Sequence, residues 1–403
     1  MTEVRAVVLG GGGLTGRCAV RALAQGGIFD SVVAADLDPE LARAAAEGAG
    51  HRARPVTVDV RDRSSVVRLL EGARVVVNAV QYGFNLAVMD AALQAGVPYL
   101  DFGGLFHMTR RQLARDVEFR AAGQLAIPGL GQVPGISNVL AMQAAADLDR
   151  VESIVIRDGW RDLTAGGPEI AFTWSPATFL DEMVLPAVVF ERGEYREYPP
   201  MSGAEEFDFL PPVGRTRVYR TLHSEAATLP ESLRAKGLER CEWKEGGPGI
   251  DVLRTMALLG LGSDRPLAVG AQTISPREFT VALLKREELL GIPAGVTIND
   301  WEVCDIEVVG TLSGQRVVRH AIARFPPKPE WHLSATEYAV GVAGAVGAEL
   351  IASGGVRATG VVPPERCVPP GPFRAALRAR GIETAIVPPE PMFGDPSGGS
   401  FRR

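Results

Sequence analysis

The sequence has 403 residues, of which 46% are hydrophobic and 22% are charged, and its formal net charge at pH 7 is −6. A chain of this length and composition can bury two ordinary cores, which excludes disorder over most of its length. The basic residues are scattered singly, no apolar window of about 18 residues lacks charge, and the four cysteines lie far apart, so we expect a cytoplasmic protein without a nucleic-acid partner, membrane segment, metal site or disulfide framework.

Short β-branched runs alternate with helical segments from residue 4 to residue 128. The connections between the runs have the length of right-handed β-α-β crossovers. The pattern therefore predicts an α/β fold, with a parallel sheet covered by helices on both faces. The predicted strands span residues 4–9, 31–35, 54–58, 74–79, 98–102 and 124–128.

The composition changes after an Ala-rich helix that ends near residue 147, where proline, tyrosine, tryptophan and charge become frequent. A later segment of small residues, 334–354, predicts a closely packed helix that ends at Gly354. The last residues combine Pro, Gly and Ser with few large hydrophobes, which predicts a frayed tail. We therefore divide the chain into a first domain, a second domain, a C-terminal segment and a flexible tail, at residues 1–147, 148–332, 333–386 and 387–403.

Two β-hairpins are predicted inside the second domain. Their strands contain alternating apolar residues, and each pair is separated by a short polar turn with glycine. The hairpins indicate an α+β domain with an antiparallel sheet. They span residues 187–198 and 301–325 and turn at Arg192-Gly193 and Ser313-Gly314.

A glycine-rich turn follows the first predicted strand. Gly11, Gly13 and Gly16 satisfy the pattern G-x-G-x-x-G, and a helix begins at Leu14. Gly11 allows the tight turn, Gly13 lets a pyrophosphate approach the backbone, and Gly16 lets the helix pack against the strand. The amide groups at the helix start, at Leu14 and Thr15, would bind the phosphates. Because the turn lies in the first β-α-β unit, it predicts a Rossmann dinucleotide-binding domain.

Asp36 ends the second predicted strand, twenty residues after Gly16. An acidic side chain at this spacing accepts hydrogen bonds from the ribose hydroxyls, and it would repel a 2′-phosphate, so NAD is favoured over NADP. The alternative is a solvated carboxylate or a helix cap, a role for which Asp38 competes. Ligands of such sheets lie outside the carboxyl ends of the strands, so we expect the cofactor also to border Asp59, Val60, Asn78, Ala79 and Val80.

Several blocks of the sequence resemble the saccharopine dehydrogenase-like family. They include the glycine turn, VVVNAVQYGFNLAVMDAALQAGVPYLDFGG at 75–104 and IPGLGQVPGISN at 127–138. YRTLHSEAATLP at 219–230 resembles a block of lysine 6-dehydrogenases, and residues 360–382 look like their C-terminal segment. The sequence departs from the family at VQYGF, where relatives often carry prolines, and at Ala144, where saccharopine reductases have a cysteine.

The resemblance implies an NAD-dependent amine/imine dehydrogenase, because the family interconverts C–N and C=N bonds by hydride transfer. It also implies an inserted substrate and dimerisation domain, a C-terminal helix that returns to the Rossmann domain, and a homodimer. Our leading hypothesis is oxidative deamination of an amino acid, as in L-lysine 6-dehydrogenase. One alternative is a saccharopine- or carboxynorspermidine-type reductase that condenses an aldehyde with an amino acid. An alternative of another class is an NAD-binding sensor or scaffold without turnover.

Amine oxidation requires a proton acceptor near the nicotinamide. Asp101 ends the fifth predicted strand, which directs its carboxylate toward the cofactor cleft. Asp116 lies eighteen residues before Pro134, a separation at which saccharopine reductases also carry an aspartate; the alternative is an exposed helix position. His223 and Glu225 would lie on one side of a strand, where the carboxylate can tune the imidazole near neutrality. The alternative for His223 is a histidine satisfied within the sheet.

Three arginines, Arg215, Arg217 and Arg220, alternate along one short segment. One of them could bind a substrate carboxylate with its two-pronged guanidinium, whereas most arginines only solvate a surface. Tyr82 and Gln132 belong to the blocks that resemble the family. We expect both side chains to border the substrate.

Overall fold

Alternating strands and helices form the first part of the computed structural model, which describes residues 3–166, 175–286 and 295–392. The strand interiors are rich in valine and alanine and are buried on both faces, which is typical of a parallel sheet between two helical layers. The elements, in chain order, are β1 (Arg5–Leu9), α1 (Leu14–Gly26), β2 (Ser31–Asp36), α2 (Pro39–Ala49), β3 (Ala53–Thr57), α3 (Arg63–Leu70), β4 (Val75–Asn78), α4 (Asn85–Ala95), β5 (Tyr99–Asp101), α5 (Leu105–Leu113), α6 (Asp116–Ala121), β6 (Leu125–Ile127) and α7 (Ile136–Ala144).

The strands of this sheet are all parallel and lie in the order β6-β5-β4-β1-β2-β3. Val7 of β1 is in register with Val33 of β2 on one side and with Val76 of β4 on the other. The chain order therefore reverses at β1, and a crevice opens at the carboxyl ends of β1 and β4, where ligands bind in such folds. The predicted α/β class and parallel sheet are confirmed.

The second domain is built on a mixed sheet of long strands. Its elements are β7 (Arg150–Asp162), α8 (Pro176–Val184), β8 (Ala187–Glu191), β9 (Glu194–Tyr198), β10 (Ser202–Asp208), β11 (Arg215–Arg220), α9 (Leu229–Ser232), β12 (Arg240–Gly246), α10 (Ile250–Leu258), β13 (Leu267–Val269), β14 (Gln272–Ile274), α11 (Pro276–Leu284), β15 (Asp300–Leu312) and β16 (Gln315–Phe325). The main strand order is β10-β11-β12-β7-β15-β16, with β12 and β7 parallel.

Both predicted hairpins are present, as β8–β9 and β15–β16. Each turn has two central residues with positive φ, which suits the right-handed twist of the flanking strands. The φ angles are 51° at Arg192 and 86° at Gly193, and 52° at Ser313 and 78° at Gly314. Local turn chemistry is thus sufficient to set the register of both hairpins.

The C-terminal part of the chain contributes to both sheets. Its elements are α12 (Ala335–Ala352), β17 (Gly360–Val361), α13 (Pro364–Cys367), α14 (Pro370–Ala379), β18 (Glu383–Ile386) and β19 (Glu390–Pro391). Helix α12 packs on α1, and β17 extends the parallel sheet beside β6. None of the described helices is both long and apolar enough to cross a membrane.

Two expectations for this end of the chain need correction. Strand β18 pairs with β16, so the segment after α14 joins the second sheet instead of ending on the first domain. The predicted frayed tail also begins too early, because the backbone amides of Val387 and Met392 donate to carbonyls of His320 and Arg316 in β16. The rest of that tail, 393–403, lies outside the described residues.

The interface of α1 and α12 depends on small residues. At Gly341 an added Cβ would lie 2.5 Å from Cys18 Cβ and 2.9 Å from the backbone nitrogen of Ala19. Replacing Gly341 with alanine should therefore lower the free energy of unfolding by about 1–3 kcal/mol, the usual cost of overpacking, despite a gain of up to about 1 kcal/mol in helix propensity. The midpoint of urea-induced unfolding measures this change.

Gly48 in α2 provides the matched control, because no atom lies within 4 Å of its added Cβ. Gly48→Ala should leave the midpoint unchanged or raise it. A Gly341→Ala protein as stable as Gly48→Ala would show that α1 and α12 are not in close contact.

Candidate functional site

The glycine turn forms an open cradle between β1 and α1. An added Cβ at Gly16 would lie 2.0 Å from the carbonyl oxygen of Gly10, and at Gly11 it would lie 3.0 Å from Ala34 Cα. At Gly13 the only close atom is the Gly10 oxygen, at 3.3 Å, and no side chain caps the helix there. Two glycines thus permit backbone packing, while Gly13 leaves space in front of the free helix amides. A dinucleotide pyrophosphate fits this arrangement.

Asp36 lies at the carboxyl end of β2, beside the cradle. Its Oδ2 accepts a hydrogen bond of 2.9 Å from the Gly12 amide, and its Oδ1 accepts one of 3.1 Å from the Asp38 amide. Asp38, and not Asp36, caps α2, because its carboxylate accepts from the amides of Glu40 and Leu41. The two aspartates therefore have separate roles, and Asp36 is left beside the cradle, where a ribose would bind.

The strand ends on either side of the cradle differ in their surroundings. Asn78 ends β4 and donates from Nδ2 to Asn85 Oδ1 and Tyr99 OH, while its own Oδ1 is buried without a partner among the described atoms. The Asp59 carboxylate accepts a hydrogen bond from the Arg61 guanidinium, with 2.9 Å between Asp59 Oδ1 and Arg61 Nε. Asn78 therefore offers an acceptor to a ligand, whereas the Asp59 carboxylate is paired already; its neighbour Val60 is half-buried.

A cavity of about 750 Å³ extends from the glycine turn to the second sheet. Helices α8, α10 and α11 form its roof, and the turn after β6 and the first residues of α12 form part of its wall. The structure places nine of the predicted residues on this wall: Gly13, Leu14, Thr15, Asn78, Ala79, Val80, Tyr82, Gln132 and His223. Among the described residues, no group of three or more His, Cys, Asp and Glu is arranged to hold a metal ion.

His223 is buried at the sheet side of the cavity. Its Nδ1 hydrogen-bonds to Glu225, whose other oxygen accepts a hydrogen bond of 2.8 Å from Ser137. The ring stacks on Trp243, with centroids 3.9 Å apart, and Nε2 lies 3.9 Å from Glu182 Oε1. Burial lowers the pKa of His223, but the carboxylates of Glu225 and Glu245 outweigh it, so the pKa is raised above its ordinary value. A raised pKa suits a group that exchanges protons near neutrality.

Three carboxylates form a row across neighbouring strands on the same wall. Asp158 of β7 is directly opposite Glu245 of β12, and Glu302 of β15 lies on the diagonal from Asp158. Gln132 and Thr336 donate to Glu302. One oxygen of Asp158 is buried without a hydrogen-bond partner among the described atoms. Like charges in such positions repel one another, so the row is suited to a ligand that brings positive charge.

Burial raises the pKa of each carboxyl group in the row. For Asp158, the neighbouring carboxylates of Glu302 and Glu245 raise the pKa further. Beside the row, burial and Glu302 raise the pKa of Asp300 to about 8, although the Ala335 amide donates to it. A bound cation would reverse these shifts, because it stabilises the ionised carboxylates.

Two predicted catalytic residues lie outside this cavity. Asp116 is at the far edge of the parallel sheet, where it accepts a 2.9 Å hydrogen bond from the Val361 amide and pairs with Arg120. Asp101 is buried behind the wall and accepts from Tyr99 OH, from Gln112 and from two backbone amides. Both carboxylates stabilise the fold through these contacts, and we propose a catalytic role for neither.

The three predicted arginines are also outside the cavity. Arg215 and Arg217 are exposed and pair with Glu206, at 3.6 Å and 2.7 Å. Arg220 pairs with Glu242 on the opposite face of the sheet from the row. Because each guanidinium already faces a carboxylate of the protein, none of the three is placed to bind a substrate carboxylate in this cavity.

Sequence reasoning missed the carboxylate row and Glu182. A signal was present, because Asp158 and Glu302 interrupt apolar strands at positions that alternate with buried residues, in IVIRDGW and WEVCDIEV. Buried strands seldom carry unpaired acidic residues. The pattern indicated a buried charge, but not which strands would bring the charges together.

Comparisons with known proteins match the chain to two family models. The family model described as saccharopine dehydrogenase NADP binding domain matches residues 6–127, and the model described as saccharopine dehydrogenase C-terminal domain matches residues 131–382. Carboxynorspermidine synthase of Vibrio cholerae is 31% identical over 249 residues, and the match spans 58% of this chain and 58% of that protein. Carboxyaminopropylagmatine dehydrogenase of Synechocystis is 24% identical over 399 residues, 94% of this chain and 96% of that protein.

Two solved structures have the same overall fold. Saccharopine dehydrogenase (L-Glu forming) from Saccharomyces cerevisiae superposes with a TM-score of 0.73 at 16% identity, covering 97% of this chain and 100% of that chain. A homospermidine synthase from Legionella pneumophila, solved in complex with NAD, superposes with a TM-score of 0.66 at 15% identity, covering 99% and 94%. At these identities the likeness concerns the fold.

Asp36 should make NAD the better cofactor. The carboxylate can accept from two ribose hydroxyls and would repel a 2′-phosphate, so kcat/KM for NAD should exceed that for NADP by about 10- to 100-fold. Asp36→Ala should remove most of this difference, as measured by absorbance of the reduced cofactor.

Asp38→Ala is the control for this substitution. Loss of the α2 cap should cost about 1 kcal/mol of stability without changing the ratio of the two cofactors. A wild-type protein that prefers NADP would exclude this role for Asp36.

Proposed function

The chain belongs to the saccharopine dehydrogenase family of NAD(P)-dependent oxidoreductases, and from this premise we propose that it condenses an aldehyde with a cationic amine and reduces the resulting imine to a secondary amine. The observation that carries the proposal is the row of buried carboxylates formed by Glu245, Asp158 and Glu302. Such a row suits a substrate with more than one positive charge, as in a diamine or polyamine.

The spacing of the row supports this class of substrate. Side chains directly opposite each other on neighbouring strands have Cβ atoms about 5 Å apart, and diagonal neighbours are about 7–8 Å apart; this range includes the separation of nitrogens joined by three or four carbons. Lysine near neutral pH carries two ammonium groups, but its carboxylate, next to one of them, would meet the row unfavourably. Two relatives are named for carboxylated polyamines. We therefore favour the carboxynorspermidine-type reaction over lysine 6-dehydrogenation.

His223 and Glu225 are the proposed acid–base pair. The hydrogen bond between His223 Nδ1 and Glu225 leaves Nε2 facing the cavity. Stacking on Trp243 restricts the orientation of the imidazole ring. In this position neutral His223 would take a proton from the substrate ammonium and free the nitrogen to attack the aldehyde. When bound along the glycine turn, the nicotinamide cofactor supplies the hydride for reduction of the imine.

The substrate carboxylate would lie at the solvent side of the cavity. Apart from His223, the cationic residues of the described wall are Arg161 and Lys285, both exposed to solvent. This polarity, with carboxylates inside and cationic side chains outside, favours an aldehyde that carries its carboxylate away from the reacting carbon. We further propose a homodimer, as the family resemblance implies, which light scattering of the purified protein would test.

A substrate panel tests the proposed function directly. Oxidation of NADH should require both an aldehyde, such as aspartate semialdehyde, and an amine drawn from 1,3-diaminopropane, putrescine and agmatine. L-lysine with NAD tests the alternative oxidation. Turnover with lysine alone would contradict the proposal, and cofactor binding without turnover for every pair would indicate a sensor or scaffold.

Asp158→Asn should weaken amine binding, because the amide keeps the shape of the side chain but not its charge. Loss of one charge-assisted hydrogen bond should raise the Kd of 1,3-diaminopropane by about 10- to 100-fold. Calorimetric titration in the presence of NAD measures this change. Glu206→Gln, which removes an exposed carboxylate outside the cavity, should leave the Kd unchanged.

Amine binding should also depend on pH in a defined direction. The carboxyl groups of the row have raised pKa values and must ionise to pair with ammonium. Binding should therefore release protons, and the Kd should fall as the pH rises through those pKa values. Titrations in buffers with different ionisation enthalpies measure the protons released; proton uptake would contradict this account.

Glu225→Gln should move the acidic limb of the pH profile of kcat/KM to lower pH. Among the interactions that raise the pKa of His223, those with Glu225 are the largest, so removing its charge lowers the pH at which the imidazole loses its proton. His223→Gln should reduce turnover by about 100- to 10,000-fold while the affinity for NAD is retained. Profiles that coincide with the wild type would exclude His223 as the proton acceptor.

A further inference from the structure

Glu182 is a buried carboxyl group in the cavity roof that the acid–base pair does not account for. It lies near the end of α8 with its side chain 3% exposed, and its Oε1 is 3.9 Å from His223 Nε2. Its Oε2 is buried without a hydrogen-bond partner among the described atoms. The distance to His223 is too long for a hydrogen bond, but a substrate oxygen or nitrogen at one side of the pair could contact both groups.

The position of α8 is set by the residue before Glu182. Asp181 accepts a 2.8 Å hydrogen bond from Tyr82 OH and binds the guanidinium of Arg277 at 2.9 Å and 2.7 Å. The carbonyl oxygen of Glu182 also accepts from the Leu222 amide. These contacts join the roof to the cofactor domain and to the segment that carries His223, so the Glu182 side chain faces a defined part of the cavity.

The charges around Glu182 favour its neutral form. Carboxyl groups face it from four elements: Glu245 on β12, Glu225 beside His223, Asp181 on α8 and Asp158 on β7. Among the residues that the structure describes, the facing group that can carry positive charge is His223, while Arg277 is already bound to Asp181. Burial and the surrounding carboxylates raise the pKa of Glu182 well above its ordinary value. In its neutral form the side chain can donate a proton to a substrate atom beside His223.

We propose that Glu182 is a second catalytic residue, which protonates the hydroxyl group that leaves when the carbinolamine becomes an imine. The proposal rests on the condensation reaction proposed above. In this step the C–O bond breaks, the hydroxyl takes the Glu182 proton and leaves as water, and the nitrogen lone pair forms the C=N bond. The products are an iminium ion, water and the Glu182 carboxylate, so the step involves no oxidation or reduction.

The role of each group in the condensation follows from its protonation state. His223 removes a proton from the attacking ammonium, and Glu182 delivers one to the departing oxygen, so one group must be neutral base and the other neutral acid at the same pH. In the reverse direction the Glu182 carboxylate takes a proton from the water that attacks the iminium carbon. Hydride transfer itself does not require Glu182.

The reverse reaction, oxidation of the secondary amine product, therefore distinguishes a role of Glu182 in imine hydrolysis from a role in hydride transfer or in substrate binding. In the Glu182→Gln protein, hydride transfer should proceed at the wild-type rate, giving a burst of one NADH per active site in a stopped-flow trace. Hydrolysis of the imine should then limit turnover, with a steady-state rate about 100- to 10,000-fold below the wild type. Glu206→Gln, the control at an exposed carboxylate outside the cavity, should behave as the wild type.

Three results would overturn the proposal. A burst as slow as the steady state would place Glu182 at or before hydride transfer. A higher KM with unchanged kcat would make it a binding carboxylate only, and wild-type kinetics would make it a bystander. If Glu182→Gln does not fold, as judged by circular dichroism and NAD affinity, Glu182→Asp serves instead, with the same burst and a smaller loss in steady state. A wild type inactive with every substrate pair would refute the proposed function, which is a different outcome.

Discussion

Buried like charge is the constraint on which the substrate side of this structure depends. Glu245, Asp158 and Glu302 occupy neighbouring strands on one face of a sheet, where ionised carboxylates repel one another and are largely shielded from solvent. The hydrogen bonds that Gln132 and Thr336 donate to Glu302 fix its position but bring no positive charge. In the proposed reaction the row would exchange protons for the positive charges of the amine, and this exchange would link substrate binding to proton transfer.

The groups that satisfy the row also join the two domains. Gln132 lies in the turn after β6 of the cofactor domain, and Thr336 lies in the first turn of α12. One residue further along α12, Glu337 pairs with Arg17 of α1, the helix that begins at the glycine turn. Helix α12 contributes Thr336 to the cavity wall and also packs along α1, the helix that follows the glycine turn. It therefore connects the carboxylate row to the cofactor cradle. Their separation is thus determined by packing rather than by a loop.

Neighbouring acidic residues in this protein have different functions because their surroundings differ. Asp36 faces the glycine turn, whereas Asp38 caps a helix. Asp181 is neutralised by Arg277, whereas Glu182, the next residue, points into the cavity without a cation other than His223 among the described groups. Position along the chain does not distinguish the members of either pair. The partner of each carboxylate distinguishes them, because a paired carboxylate stabilises the fold and an unpaired one is free to exchange protons or bind a cation.

The sequence by itself determined the features that depend on local geometry. Gly11, Gly13 and Gly16 identify the cradle because only glycine fits that turn, and Asp36 follows at a spacing that one β-α-β unit sets. The strand runs of the first domain and the two hairpin turns could likewise be predicted, since periodicity and positive φ are properties of a few adjacent residues. The contact between His223 and Glu225 was also predicted, but its expected reason was wrong, because β11 ends at Arg220 and Glu225 begins a 3-10 helix instead of continuing a strand.

Only the tertiary structure decided which distant residues share a site. The row requires the register of β12 against β7 and of β7 against β15, and strand order in a mixed sheet is not encoded in any one segment. The same reason explains why Asp116 and Asp101 looked catalytic in the sequence: the partners that occupy them, the amides of Val361 and Gly129, come from other parts of the chain. A carboxylate becomes catalytic or structural through the groups that face it, and long-range packing chooses those groups.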